Sequence, residues 1–160
     1  GLPISAVVGR AEVMQAPHPG GLGGTFAGSP VACAAALAAL DLLTAPAFLA
    51  HARVLGERLR QRLDALQVRF PRLIGDVRGI GPMLAIELVR DPVTRAPWPE
   101  ATQALTAAAL VRGVIVIRAG LYSNCVRFLP PLDIPLSLLD EALDVLELAV
   151  AATAQQLEVA

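Results

Sequence analysis

The residues best able to do chemistry lie in a glycine-rich segment and on one short apolar stretch. Residues 17–30 read Pro-His-Pro-Gly-Gly-Leu-Gly-Gly-Thr-Phe-Ala-Gly-Ser-Pro. Glycine leaves backbone N–H groups open to close approach by a ligand, and Thr25 adds a hydroxyl. Ser29 followed by Pro30 is a helix-start signal, serine at the N-cap and proline at the first helical position. Unobstructed donors beside a helix N-terminus are what a bound phosphate needs. A purely structural glycine turn has the same composition, so this segment alone leaves both readings open. Nucleotide binding is disfavoured, because the Gly-Lys-Ser/Thr end of a P-loop is missing and no Gly-x-Gly-x-x-Gly follows a strand.

The second feature is Arg127, in Asn124-Cys125-Val126-Arg127-Phe128-Leu129. An arginine in an apolar strand needs a carboxylate, phosphate or carbonyl partner if it points inward. The planar guanidinium suits a two-pronged clamp on a ligand carboxylate. A structural pair with Glu87 or Asp133 serves equally well at this stage. His18 has no evident serine, cysteine or carboxylate companion for base catalysis and reads as a loop histidine. Arg78 and Glu87 read as turn and sheet residues. Cys33 and Cys125 show no metal-like spacing and read as reduced packing residues of a cytoplasmic protein.

The elements that would carry these residues follow from periodicity. The helix opened by Ser29 and Pro30 runs through an alanine-rich stretch, a composition that favours helix and close packing. After Thr44 and Pro46 a second helix is marked by Leu49, Ala52, Leu55, Leu59, Leu63 and Leu66, with arginines on the opposite face, ending near Phe70 and Pro71. Residues 74–90 predict two strands around a turn at residues 79–82. Residues 100–112 predict a helix stopped by Gly113, and residues 114–117 a β-branched strand. A further strand is expected at residues 125–129, ended by Pro130 and Pro131. Pro135 opens a last helix with Leu139, Leu143, Leu146 and Val150 on one face. Helices layered on a small, mostly antiparallel sheet make an α+β arrangement.

Composition bounds the function. The chain is 55% hydrophobic and 17% charged, enough to bury a core. Its most apolar stretch, from Pro30 to Leu40, is about half the roughly 20 residues a membrane span needs and stops at Asp41. A net charge of -1 gives nucleic acid no electrostatic handhold. All 13 basic residues are arginine, so the chain contains no lysine.

Taken in order, several motifs resemble one family over nearly the whole chain: the class III pyridoxal-phosphate-dependent aminotransferases. They are Gly1-Leu2-Pro3-Ile4, Gly9-Arg10-Ala11-Glu12-Val13-Met14, Gly23-Gly24-Thr25-Phe26-Ala27-Gly28-Ser29-Pro30, Gly75-Asp76-Val77-Arg78-Gly79-Ile80-Gly81 and the Arg127 segment. The resemblance implies the C-terminal part of a fold-type I transferase: residues 1–45 as the end of the large α/β cofactor domain and residues 46–160 as the small α+β domain. Two positions depart from the family pattern, Ser29 where asparagine is usual and Arg118 in place of a small or polar residue.

The resemblance also implies roles. Thr25, with Gly24 beside it, would donate to the phosphate of pyridoxal 5'-phosphate, typically across a homodimer interface into the partner's site. Arg127 would grip the substrate carboxylate. The Schiff-base lysine is expected upstream of Gly1, so the isolated chain carries no catalytic residue and is expected to be inactive. Gly120-Leu121-Tyr122-Ser123-Asn124 leading into the Arg127 segment most resembles the 4-aminobutyrate type, which transfers an amino group to 2-oxoglutarate. Acetylornithine and diaminobutyrate enzymes stay open, as do a non-catalytic binding module and a binder of other phosphate ligands. Small amino acids and 2-oxo acids, with no nucleic acid and no membrane, are the expected partners.

Overall fold

A computed structural model describes residues 2–158, so Gly1 of the Gly-Leu-Pro motif lies outside the described residues. The chain divides into two compact units, Gly1–Pro46 and Ala47–Ala160.

The first unit contains a single turn of helix, α1 (Ala11–Met14), and α2 (Pro30–Thr44). Proline at its first position and an alanine-rich interior make α2, and the Ala45-Pro46 pair ends it, because the residue before a proline is forced out of helical geometry. Ser29 does stand at the N-cap, but its hydroxyl makes no capping bond; its backbone carbonyl accepts the Cys33 N–H at 2.9 Å instead. Ala32 is the one buried residue among those described in this unit.

The second unit holds the core. Its order is α3 (Pro46–Arg69, opening on the boundary proline), β1 (Ile74–Ile80), β2 (Met83–Leu88), α4 (Pro99–Val111), β3 (Ile117–Ala119), β4 (Cys125–Phe128) and α5 (Leu136–Gln156). The four strands form one antiparallel sheet in the order β1-β2-β4-β3. Leu55, Leu59, Leu63 and Leu66 of α3 are buried together with Leu105 of α4, Leu143 and Leu146 of α5, and Leu84, Ile86, Val126 and Phe128 from one face of the sheet. This is the expected α+β layer of helices on an antiparallel sheet.

The arginines on the outer face of α3 reach acids of α5: Arg58 to Asp140 at 2.7 Å, Arg62 to Asp144 at 2.6 Å, and Arg69 to Glu147. All are partly solvated, so they set the alignment of two helices more than they add stability. The β1–β2 hairpin depends on Gly79, whose φ of 134° is closed to side chains and whose added Cβ would sit 2.1 Å from the Met83 carbonyl oxygen.

Two element boundaries differ from the sequence expectation. The third strand is Ile117–Ala119 rather than 114–117: Gly113 turns the chain at φ 90°, the Val114 N–H still bonds back to the Ala109 carbonyl, and pairing begins only where Ile117 meets Arg127. The fourth strand stops at Phe128, because Leu129 precedes a proline that has no N–H to give a ladder. Among the described residues no single helix is long and apolar enough to cross a membrane.

Candidate functional site

The glycine-rich loop belongs to the first unit, and there its turns are local. The Gly21 N–H bonds to the His18 carbonyl at 2.9 Å and the Ala27 N–H to that of Gly24 at 3.0 Å, making two turns, with Gly24 and Thr25 exposed at the start of the second. A Cβ added to Gly23 or Gly24 would meet nothing within 4 Å. The packing of this unit therefore gives no reason for glycine at either position. Among the described residues neither the Thr25 hydroxyl nor the Gly24 and Thr25 N–H groups have an acceptor in the chain. Hydroxyl and amide donors with clear space around them are a donor set that fits a phosphate. His18 lies in the same loop, exposed, with Nδ1 3.1 Å from the carbonyl of Pro19 and, among the described residues, no carboxylate or nucleophile paired to it.

Arg127 belongs to the second unit. On β4 the residues alternate between the helix-covered face, where Val126 and Phe128 are buried, and the opposite face, where Arg127 is exposed. Its register partners are Ala85 on β2 and Ile117 on β3, neither of which can take its charge. Among the described residues it makes no ion pair, and neither Glu87 nor Asp133 holds it as a structural partner. An apolar cleft of about 330 Å³ opens beside it, walled by Ile117, Phe128, Leu129, Pro131 and Leu143.

The same face carries a polar cluster that spacing along the chain did not reveal. Arg78 donates to Asp76 Oδ2 at 2.8 Å, to the Glu87 carboxylate, and to Cys125 Sγ at 3.2 Å. Asn124, 2% exposed, donates from Nδ2 to Glu87 Oε1 and to the Leu88 carbonyl, both at 3.1 Å. The bonds to Asp76 and Glu87 push the Arg78 guanidinium above its ordinary value, so it is a fixed charge. Burial pushes the Cys125 thiol up, against the pull of Arg78, so it remains a thiol and packs as one. Gly120 allows this packing: its φ is 85° and an added Cβ would stand 2.9 Å from Cys125 Sγ. Arg78 and Glu87, taken from sequence as turn and sheet residues, are thus the centre of a cluster on the face that carries Arg127. Alternation along β1 puts Asp76 and Arg78 on one face, but only the pairing of β1 with β2 brings Glu87 to them.

Arg118, the residue that departs from the family pattern, pairs with Val126 at the edge strand and is exposed. Among the described residues no group of histidine, cysteine and acidic side chains is placed to hold a metal.

Comparison with known proteins gives one consistent result. The model of the family described as aminotransferase class-III matches residues 1–150. The 4-aminobutyrate aminotransferase of Mycobacterium tuberculosis is 50% identical over 145 residues, covering 91% of this chain and 32% of that protein. The 5-aminovalerate aminotransferase of Pseudomonas aeruginosa is 45% identical over 146 residues, covering 91% and 34%. A solved transaminase from the marine bacterium Virgibacillus superposes with a TM-score of 0.75 at 28% identity, over 85% of this chain and 31% of that one. The chain spans about a third of the length of the curated relatives it matches.

Proposed function

This chain belongs to the class III aminotransferases, and from that premise we propose that it provides the phosphate-facing loop and the substrate-carboxylate clamp of a pyridoxal-phosphate enzyme. The reaction proposed is transfer of the amino group of an ω-amino acid, 4-aminobutyrate first, to 2-oxoglutarate. Relatives named for 4-aminobutyrate and for the one-carbon-longer 5-aminovalerate support an ω-amino donor.

Pyridoxal phosphate, when bound, supplies the electron sink for the chemistry at the amine-bearing carbon. The contribution of this chain is positional. Thr25, through its hydroxyl and N–H, and Gly24, through its N–H, bind the phosphate; in a homodimer this loop would serve the partner's site. Arg127 presents two parallel N–H donors to a carboxylate, which orients the 2-oxo acid as well as binding it. The observation that carries the reading is the state of Arg127: an exposed side chain on a paired strand with no ion pair among the described residues, while the nearby Glu87 is bound by Arg78 and Asn124. The chain has no lysine, so by itself it is proposed to be inactive.

The experiment is Arg127→Gln in an enzyme of the relatives' full length that carries this chain. The KM for 2-oxoglutarate should rise by about 10- to 100-fold, the range of a lost charge-assisted hydrogen-bond pair. An unchanged KM rejects the clamp. Turnover by the 160-residue chain alone with added pyridoxal phosphate would reject the proposed inactivity.

A further inference from the structure

The register of the sheet arranges its open face in two adjacent rows. One runs Arg78, Ala85, Arg127, Ile117 across β1, β2, β4 and β3; the next runs Asp76, Glu87, Cys125, Ala119. Glu87 therefore stands diagonal to both Arg78 and Arg127. Diagonal neighbours on an antiparallel sheet are about 7–8 Å apart, within reach of long side chains. Two guanidinium groups compete for one carboxylate, and the small Ala85 between them obstructs neither.

The competition is decided on the β1 side. Arg78 bonds to Glu87 and is itself anchored by Asp76 at 2.8 Å. Asn124, fixed by its second bond to the Leu88 carbonyl, takes the other Glu87 oxygen at 3.1 Å. Both oxygens of Glu87 are thus engaged away from Arg127. Without Arg78, Glu87 would keep only its bond from Asn124 and would be a carboxylate one diagonal step from Arg127. A tethered carboxylate of that kind acts as an internal ligand at an effective concentration in about the millimolar range, enough to rival a soluble 2-oxo acid.

We infer that Arg78 is a positioning residue for substrate recognition: by holding Glu87 it keeps the Arg127 guanidinium available to the carboxylate of the incoming 2-oxo acid. The inference rests on Arg127 being the clamp, and its test separates the two. In the full-length enzyme, Arg78→Gln should raise the KM for 2-oxoglutarate by on the order of tenfold while kcat changes by less than about twofold, the pattern of lost binding without lost chemistry. Adding Glu87→Gln to Arg78→Gln should return the KM to near its starting value, a rescue that a merely structural arginine would not show. Arg78→Lys keeps a cation and the fold, and should give a smaller rise of about two- to threefold, because one ammonium cannot hold two carboxylates as a guanidinium does. A direct readout needs no cofactor: in the 160-residue chain the Arg127 Nε–Hε resonance should shift in Arg78→Gln and return in the double variant.

A KM that does not move in either Arg78 variant, a rise that Glu87→Gln fails to reverse, or a stationary Arg127 resonance each overturns the inference. If Arg127→Gln raises the KM while the Arg78 series is flat, the clamp stands and only the positioning role falls. If Arg127→Gln is itself without effect, the clamp reading has failed first.

Discussion

Leu55, Leu63, Ile86, Leu105 and Val126 of the second unit are fully shielded from solvent, whereas in the first unit Leu37, Leu40 and Leu42, on a helix of good intrinsic propensity, are each more than half exposed. Both units have apolar sequences, but only one uses them to make a core. Hydrophobic burial is the main favourable term in folding, so the stability of residues 47–158 comes from their own side chains. A 15-residue helix without such burial is marginal in water. The two proposed ligand sites follow the same division. Arg127 is aimed by a strand with neighbours on both sides, while Thr25 sits on a turn whose glycines answer to no contact within the unit.

The contrast can be broken most forcefully with paired substitutions of one chemistry. Leu63→Ala in α3 removes a side chain that is 0% exposed and should cost about 3 kcal/mol, roughly a hundredfold in the folding equilibrium. Leu37→Ala in α2 changes a side chain that is 64% exposed and should stay within about 0.5 kcal/mol. Trp98, the only tryptophan and 8% exposed, reports the unfolding of the second unit by fluorescence in a denaturant titration. Equal losses read at Trp98 would mean that exposed leucines of α2 count for as much in the second unit's stability as its own buried ones, and the distinction between the units would go.

Much of the second unit was legible because its determinants are local. The spacing of Leu55, Leu59, Leu63 and Leu66 is that of a helix face, and all four are buried; the glycines around residue 80 announced the hairpin. What periodicity could not supply was which strands lie side by side. β2 pairs with β4, across a helix and another strand, and only that non-local pairing brings Glu87 opposite Cys125 and Ala85 opposite Arg127. Hence Arg127 could be singled out by type while its relation to Arg78 and Glu87 could not. Asn124 was hidden for the same reason: its bonds to Glu87 and Leu88 span 37 and 36 residues. In the first unit the helix was legible from Ser29 and Pro30, but whether the serine hydroxyl caps it depends on a rotamer, and the hydroxyl makes no such bond.

A smaller effect tests whether the first unit's loop serves a ligand rather than its own fold. Thr25→Ala should weaken pyridoxal phosphate binding by about tenfold in the full-length enzyme, one lost hydroxyl bond to a charged group. Titrating apoenzyme with cofactor and following its absorbance measures this. The thermal midpoint of the 160-residue chain should not change, because among the described residues the Thr25 hydroxyl bonds to nothing within it. A lowered midpoint with unchanged cofactor affinity would make Thr25 a structural residue.

The smallest effect lies on the surface of the second unit and shows how little of its stability depends on exposed charge. Asp91 Oδ1 accepts the Thr94 N–H at 2.6 Å and the Val93 N–H at 2.9 Å, closing the turn before Arg95. Those bonds, the one from Thr94 first, hold its carboxyl below the usual carboxylate range. A depressed value in the folded chain means that the charged form is favoured by folding, so the contribution is fully present above the ordinary aspartate value of about 3.9 and fades as pH falls through the lower folded value. Asp91→Asn keeps the acceptor oxygen and removes the charge. Its thermal midpoint should lie slightly below that of the unsubstituted chain at pH 7, and the gap should close in acid, where Asp91 is itself protonated and chemically close to asparagine. A gap of the same size at pH 7 and pH 2 would show that geometry rather than charge holds this turn. A gap rivalling that of Leu63→Ala would mean that surface electrostatics, and not the buried leucines, sets the stability of the compact unit.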